Sequence, residues 1–140
     1  RTGDGVAALR EALPGLLTQG PRYFPEGMAT DQTDEELAAE LVREAALLRL
    51  RQEVPHALAV EIEEIEPARR GVVVRGALLV ETESQKGIVV GRGGGMIRDI
   101  GAAARSALGR LWGTEVHVDL TVRVRKRWRD DEAVLSRLGL

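Results

Sequence analysis

Apolar positions along this 140-residue chain change period several times, and each change marks a different element. Val6, Leu9, Leu13, Leu16 and Leu17 are spaced for one face of a short helix, with no apolar partner in the adjoining sequence. Residues 19 to 32, QGPRYFPEGMATDQ, hold two prolines and two glycines without a period, which predicts a linker. Thr33 and Glu36 form a capping box ahead of Leu37, Leu41, Ala45 and Leu48, so a helix is expected from about Asp34 to Glu53, ended by Pro55. In ALAVEIE, Leu58, Val60 and Ile62 share one face of a half-buried strand, and a second strand is expected over about Val72 to Glu83. The short turn EPARRG makes the two an antiparallel hairpin. Ser84 is placed to cap a short helix that runs through Val90 and breaks at Gly91. From Met96, the positions Ile97, Ile100, Ala104, Leu108 and Leu111 follow helical spacing, and Gly113 ends the helix as a left-handed cap residue would. VHVDLTVRV is the clearest strand, with Val116, Val118, Leu120, Val122 and Val124 inward and His117, Asp119, Thr121 and Arg123 outward. A last helix starts near Asp130, whose carboxylate and that of Asp131 suit the positive end of the helix dipole, and stops at Gly139. The chain therefore reads as α+β: a helix and linker over residues 1 to 32, then a domain of order α-β-β-α-α-β-α over residues 33 to 140.

Composition removes several function classes. The length suits one domain and a short appendage. With no cysteine there is no disulfide scaffold and no thiolate site, and the default compartment is the cytoplasm. His56 and His117 stand far apart without cysteine support, so no metal site is assigned. Apolar runs such as Ala77 to Val80 fall far short of the roughly 18 residues a membrane span needs. The amphipathic start RTGDGVAALREAL is no signal peptide, and it reads as the continuation of a longer chain.

Charge changes the picture. The net charge of −2 conceals an asymmetry: residues 1 to 84 carry 9 Lys and Arg against 16 Asp and Glu, while residues 85 to 140 carry 11 against 6. A basic half on an acidic chain is what a localised polyanion site requires. The basic half begins at SQKGIVVGRGGGMIRDIG, Ser84 to Gly101, which holds six of the 16 glycines.

Spacing decides what those glycines do. A P-loop needs lysine where Ile97 stands, and a dinucleotide fingerprint needs a third glycine where Met96 stands, directly after a strand rather than a helix. What remains is GRGG, Gly91, Arg92, Gly93 and Gly94, a Gly-x-x-Gly turn between two helices. Bare backbone there lets a phosphate approach the main chain, and the following helix adds its amides and dipole. Arg92 supplies a full charge at the same place, and Lys86 and Arg98 extend it. Ile88, Val89, Ile97 and Ile100 offer an aliphatic wall for bases, with Met96 beside them among the candidate contacts. Aromatic residues make up only 3% of the chain, which argues against recognition sheets that stack bases on aromatic rings.

The loop and the element order resemble the KH domain, whose Gly-x-x-Gly loop clamps about four nucleotides of a single strand. They are similar to its type II form, a three-stranded mixed sheet covered by helices on one face. YFPEGMATD, RQEVPHALAVEIEE, SQKGIVVGRGGGMIRDIG and RKRWRDDEAVLSRLG together resemble the carboxy-terminal half of the Era family of bacterial ribosome-assembly GTPases, over Tyr23 to Leu140. The chain departs from that family at Arg92, usually lysine, at Gly95, usually small and polar, and at Gly27, commonly an acid. The resemblance implies single-stranded RNA as ligand, specifically the 3′ end of 16S rRNA in the 30S subunit, bound by a monomer. It also implies a GTPase domain elsewhere in the parent that binds GTP and magnesium and controls RNA binding. No cofactor and no catalytic residue are assigned to this chain itself. A peripheral place at the inner membrane face is the further location that the resemblance adds.

A second basic cluster, RVRKRWR, offers Arg123, Arg125, Lys126 and Arg127 as secondary RNA contacts or as a charged strand end. Trp128 within it favours packing over base stacking. Glu35, Glu36, Glu40 and Glu44 read as a solvated helix face, as do Glu61 and Glu63 on the first strand. The competing functional class is a protein-interaction domain of degenerate KH fold, for which an open glycine loop would serve no purpose.

Overall fold

A computed structural model describes residues 2–18, 20–21, 25–26, 30–50 and 54–138, with backbone alone at residues 55, 56 and 137. Two compact units divide the chain, Arg1–Asp31 and Gln32–Leu140.

In the first unit the leucine spacing gives helix α1, Val6–Leu16. Val6, Leu9, Leu13, Leu16 and Leu17 on its apolar face are all exposed. The expected linker lies partly outside the described residues.

In the second unit helix α2 spans Asp34–Leu47 and begins with the predicted capping box. Glu36 N–H donates to Thr33 Oγ1 at 3.2 Å and Thr33 N–H to Glu36 Oε2 at 2.8 Å. Its end comes earlier than Glu53. The N–H groups of Arg49 and Leu50 both turn back to Ala46 O, tightening the last turn. A 3₁₀ turn, Val54–Ala57, then leads into strand β1, Ala59–Pro67. Strand β2, Val72–Val80, pairs antiparallel with it, so the hairpin is present with a turn over residues 68–71. Strand β2 stops three residues before the expected Glu83, because Thr82 instead caps helix α3, Glu83–Val90. The cap is a second capping box, Thr82 with Gln85, and not Ser84. Helix α4 runs Gly95–Trp112 and ends at Gly113 in the left-handed region, φ 65°. Strand β3, Val116–Val124, lies parallel to β2. A parallel neighbour demands a crossover, and α3 with α4 supplies it. Trp128–Asp130 form a 3₁₀ turn, and the last helix, α5, is Glu132–Arg137 with Asp131 as its cap, two residues later than expected.

The mixed sheet has the order β1-β2-β3. Its helix-facing side carries Val60, Leu78, Val80 and Val122, which pack with Val42, Ala45 and Ala46 of α2, Val89 of α3, and Ile100 and Ala104 of α4. Alanines at the helix contacts let α2 lie against α4. The opposite side is covered in part by the tail, where Trp128 and Val134 bury Ala59, Ala77 and Leu79. Among the described residues no helix is long and apolar enough to cross a membrane.

Candidate nucleic-acid interface

Helix α3 ends because Gly91 adopts φ 72°, ψ 174°, a conformation reserved almost entirely for glycine. A Cβ there would lie 2.6 Å from Met96 Cβ and 2.8 Å from the Met96 nitrogen, so Gly91 also lets the loop close against the start of α4. Gly93 and Gly94 follow with φ 58° and 74°, and a Cβ at either would point into open space. The loop is therefore a single 3₁₀ turn, Arg92–Gly94, entered and left through glycine geometry. No side chain caps the N-terminus of α4 at Gly94. The amides and dipole of an 18-residue helix consequently open onto bare backbone, an arrangement suited to an anion.

Cations stand around this opening in different roles. Arg92 is exposed and, among the described residues, pairs with no carboxylate. Arg98, one turn into α4, folds back: its Nη2 donates to Gly93 O at 2.8 Å and its Nε to Gly94 O at 3.1 Å. That guanidinium holds the two left-handed residues in place and keeps three further N–H donors for a ligand. Lys86 sits half-buried on α3.

The aliphatic wall is smaller than the sequence suggests. Val89 and Ile100 are fully buried in the core and stand behind the surface, since α3 and α4 each turn these positions toward the sheet. Ile88 is 42% exposed. Met96 and Ile97 are half-buried against the core edge, and with Ile88 they form the accessible apolar surface beside the loop.

From the loop a groove of about 330 Å³ runs between α4 and β3. Ile97, Arg98, Ala102 and Arg105 form one wall, and His117, Asp119 and Leu120 belong to the other. Arg105 and His117 were not anticipated as site residues. Arg105 carried a readable signal, because it stands seven residues after Arg98 and so returns to the same helix face. His117 carried none, since only the packing of α4 along β3 brings it to the groove.

The second basic cluster is neutralised by carboxylates. Arg123 pairs with Glu63, Arg125 with Asp131 at 2.9 Å, Arg127 with Asp130 at 2.8 Å, and Arg129 with Glu81 at 2.9 Å. The Arg125 hydrogen bond holds the Asp131 carboxyl below the usual aspartate range. Arg75 likewise holds Glu66 low. Of the four secondary candidates only Lys126 is without an ion pair among the described residues. Trp128 is buried, and its Nε1 donates to Ala57 O at 3.1 Å.

The loop does not fit a nucleoside triphosphate. Ile97 occupies the position where a P-loop lysine would reach the terminal phosphates, and it packs against the core.

Residues 53–129 match the KH domain family. The chain is 50% identical to the GTPase Era of Mycobacterium tuberculosis (strain H37Rv) over 142 residues, covering 99% of this chain and 47% of that protein. It is 45% identical to the GTPase Era of Mycobacterium sp. (strain KMS) over 141 residues, with the same coverage. The chain thus spans about half the length of the curated relatives it matches. Among solved structures, Era of Aquifex aeolicus bound to GDP·AlF4⁻ superposes with a TM-score of 0.91 at 35% identity, over 96% of this chain and 46% of that one. Era in complex with MgGDPNP and nucleotides 1506–1542 of 16S ribosomal RNA superposes at 0.90, also at 35% identity and over the same shares. Sequence match, sheet order and glycine loop agree: the chain belongs to the KH domain family.

Proposed function

We propose that this chain binds the 3′ end of 16S rRNA as a single strand, in assembly of the 30S subunit, and that it acts as the RNA-binding arm of a GTPase whose nucleotide site lies in the remainder of the parent. The observation that carries the reading is the open loop itself: Gly93 and Gly94 in left-handed geometry with free space at both Cβ positions, directly before the uncapped N-terminus of α4. Phosphate approaches the backbone of Gly91 to Gly94, Arg92 supplies charge, and Arg98 fixes the loop while offering its remaining donors. Bases lie on Ile88, Met96 and Ile97 and continue into the groove lined by Ala102 and Leu120. Lys86 contributes charge at the α3 side. The RNA-bound Era neighbour supports the ligand class. The chain acts as a monomer, and residues 1 to 32 are the end of the GTPase domain and its linker, which accounts for the exposed leucines of α1.

The test is an amide-NMR titration with a short RNA of the 16S 3′-terminal sequence. The shifts should concentrate on Gly91 to Arg98 and on the α4–β3 groove. Shifts confined to residues 123–129 would overturn the reading.

A further inference from the structure

The described arginines of the second unit sort by partner. Arg43, Arg75, Arg123, Arg125, Arg127 and Arg129 each pair with a carboxylate. Arg49, Arg69, Arg70, Arg92, Arg98, Arg105 and Arg110 pair with none among the described residues, although Arg49 donates to Ala45 O, Arg98 to the loop carbonyls and Arg110 to Ser106 Oγ. Five of these seven, Arg69, Arg70, Arg98, Arg105 and Arg110, line depressions that adjoin one another. Arg105 lines the groove beside the loop and also a second depression of about 450 Å³, which Arg110 and His117 line as well. His117 in turn lines a third, of about 440 Å³, formed with Arg69 and Arg70 on the β1–β2 turn. The three depressions share residues and form one track, with Arg98, Arg105, Arg110, Arg69 and Arg70 set against the carboxylates of Glu115 and Asp119.

The far end of this track is rigid. Gly71, at φ 77°, closes the turn so tightly that an added Cβ would fall 1.8 Å from Glu115 O. Ala68 N–H donates to Gly71 O at 3.0 Å and Val72 N–H to Glu115 O at 2.9 Å, so the turn is fastened to the start of β3. Arg69 and Arg70, without a carboxylate partner among the described residues, thus rise from a fastened backbone and present two guanidinium groups to anions. Length then distinguishes the ligand. Gly95 to Arg110 covers about 22 Å at 1.5 Å per residue. Four stacked nucleotides cover only about 10–14 Å, at about 3.4 Å each.

Resting on the reading of the loop given above, we propose that Arg69 and Arg70, with Arg105 and Arg110, form a second phosphate-binding station that holds the continuation of the RNA strand clamped at the glycine loop. The station adds affinity and salt dependence to strands longer than about four nucleotides and adds nothing for a tetranucleotide.

The full chain and its Arg69→Gln/Arg70→Gln variant, with thermal midpoint as fold control, are titrated by fluorescence anisotropy against single strands of about four and about twelve nucleotides. The proposal expects unchanged tetranucleotide affinity. For the longer strand it expects a loss of about tenfold at roughly 0.1 M salt and a log–log salt slope smaller by about 1.4, two contacts at about 0.7 each. An unchanged slope and affinity for the longer strand would overturn the second station while leaving the loop reading intact. If the unmodified chain bound neither strand, the loop reading would fall and the station with it. Loss of binding to anionic vesicles, with RNA binding unchanged, would assign the turn to a membrane surface and overturn the RNA station.

Discussion

Arg98 donates through Nη2 to the carbonyl oxygen of Gly93 at 2.8 Å, closing a ring from the first turn of α4 back onto the loop that precedes it. The same guanidinium also reaches Gly94 O, so one side chain fixes both left-handed residues. Arg98 and Arg92 therefore contribute differently although both are cations beside the same loop.

Arg92→Ala should weaken all single strands alike and flatten the log-affinity against log-salt slope by about 0.7, the loss of one phosphate contact. Arg98→Ala should also weaken binding, yet with faster hydrogen exchange at Gly93 and Gly94, because the loop loses its brace. Salt-dependent titration combined with exchange separates the two. Equal exchange in both variants would contradict the bracing role.

Gly91→Ala should destabilise the fold more than a change at Gly93 or Gly94, where a Cβ meets open space. The new methyl group would strike Met96 backbone and Cβ and would carry a dihedral pair that costs about 1–3 kcal/mol before any clash. A fall of several degrees in the thermal midpoint is expected, and an unchanged midpoint would show that the loop closes in another way.

Trp128 should prove structural. Trp128→Phe removes the bond to Ala57 O and should cost about 1–3 kcal/mol, and Trp128→Ala about 3–5 kcal/mol from the emptied site over Ala59, Ala77 and Leu79. Denaturant melts measure both. RNA affinity of the folded fraction should not change, whereas a large loss of affinity in the phenylalanine variant would return the indole to the binding surface.

Acid should loosen the tail. The Asp131 carboxyl is held low first by Arg125, and its Oδ1 accepts from the Val134 amide at 3.3 Å. A depressed folded value means that its stabilisation is complete above the ordinary aspartate value of about 3.9 and is lost as pH falls through the lower folded value. The Val134 amide shift, followed by NMR against pH, should therefore titrate below the ordinary aspartate range. A midpoint at or above that range would contradict the pairing.

Local signals were the ones the sequence carried. Thr33 and Glu36 announced the start of α2, the alternation of Val116 to Val124 announced β3, and Gly91 to Gly94 announced the loop, because each depends on neighbours within a few residues. Signals that depend on tertiary packing were not readable. Val89 and Ile88 are adjacent on α3, only one can face the sheet, and the burial of Val89 was decided by where α3 docks. Thr82 displaced Ser84 as the cap because Gln85 completes a box with Thr82 and also accepts from the Glu81 amide. Arg123 is neutralised by Glu63, 60 residues away across the sheet, a pairing that tertiary packing sets and composition does not. The groove with Arg105 and His117 exists only once α4 lies along β3.

The central claim is that single-stranded RNA is held at the glycine loop, and Gly93→Asp with Gly94→Asp tests it most directly. Both Cβ positions open to free space, so the fold should stand, with a cost of roughly 1 kcal/mol per left-handed residue. Two carboxylates would then occupy the approach of the phosphate, where repulsion at about 4 Å is on the order of 1 kcal/mol in water and several times that near a protein surface. Titration of the 16S 3′-terminal strand, with circular dichroism as control, should show at least about a tenfold loss of affinity and an unchanged spectrum. Full RNA affinity in a folded double variant would contradict the account.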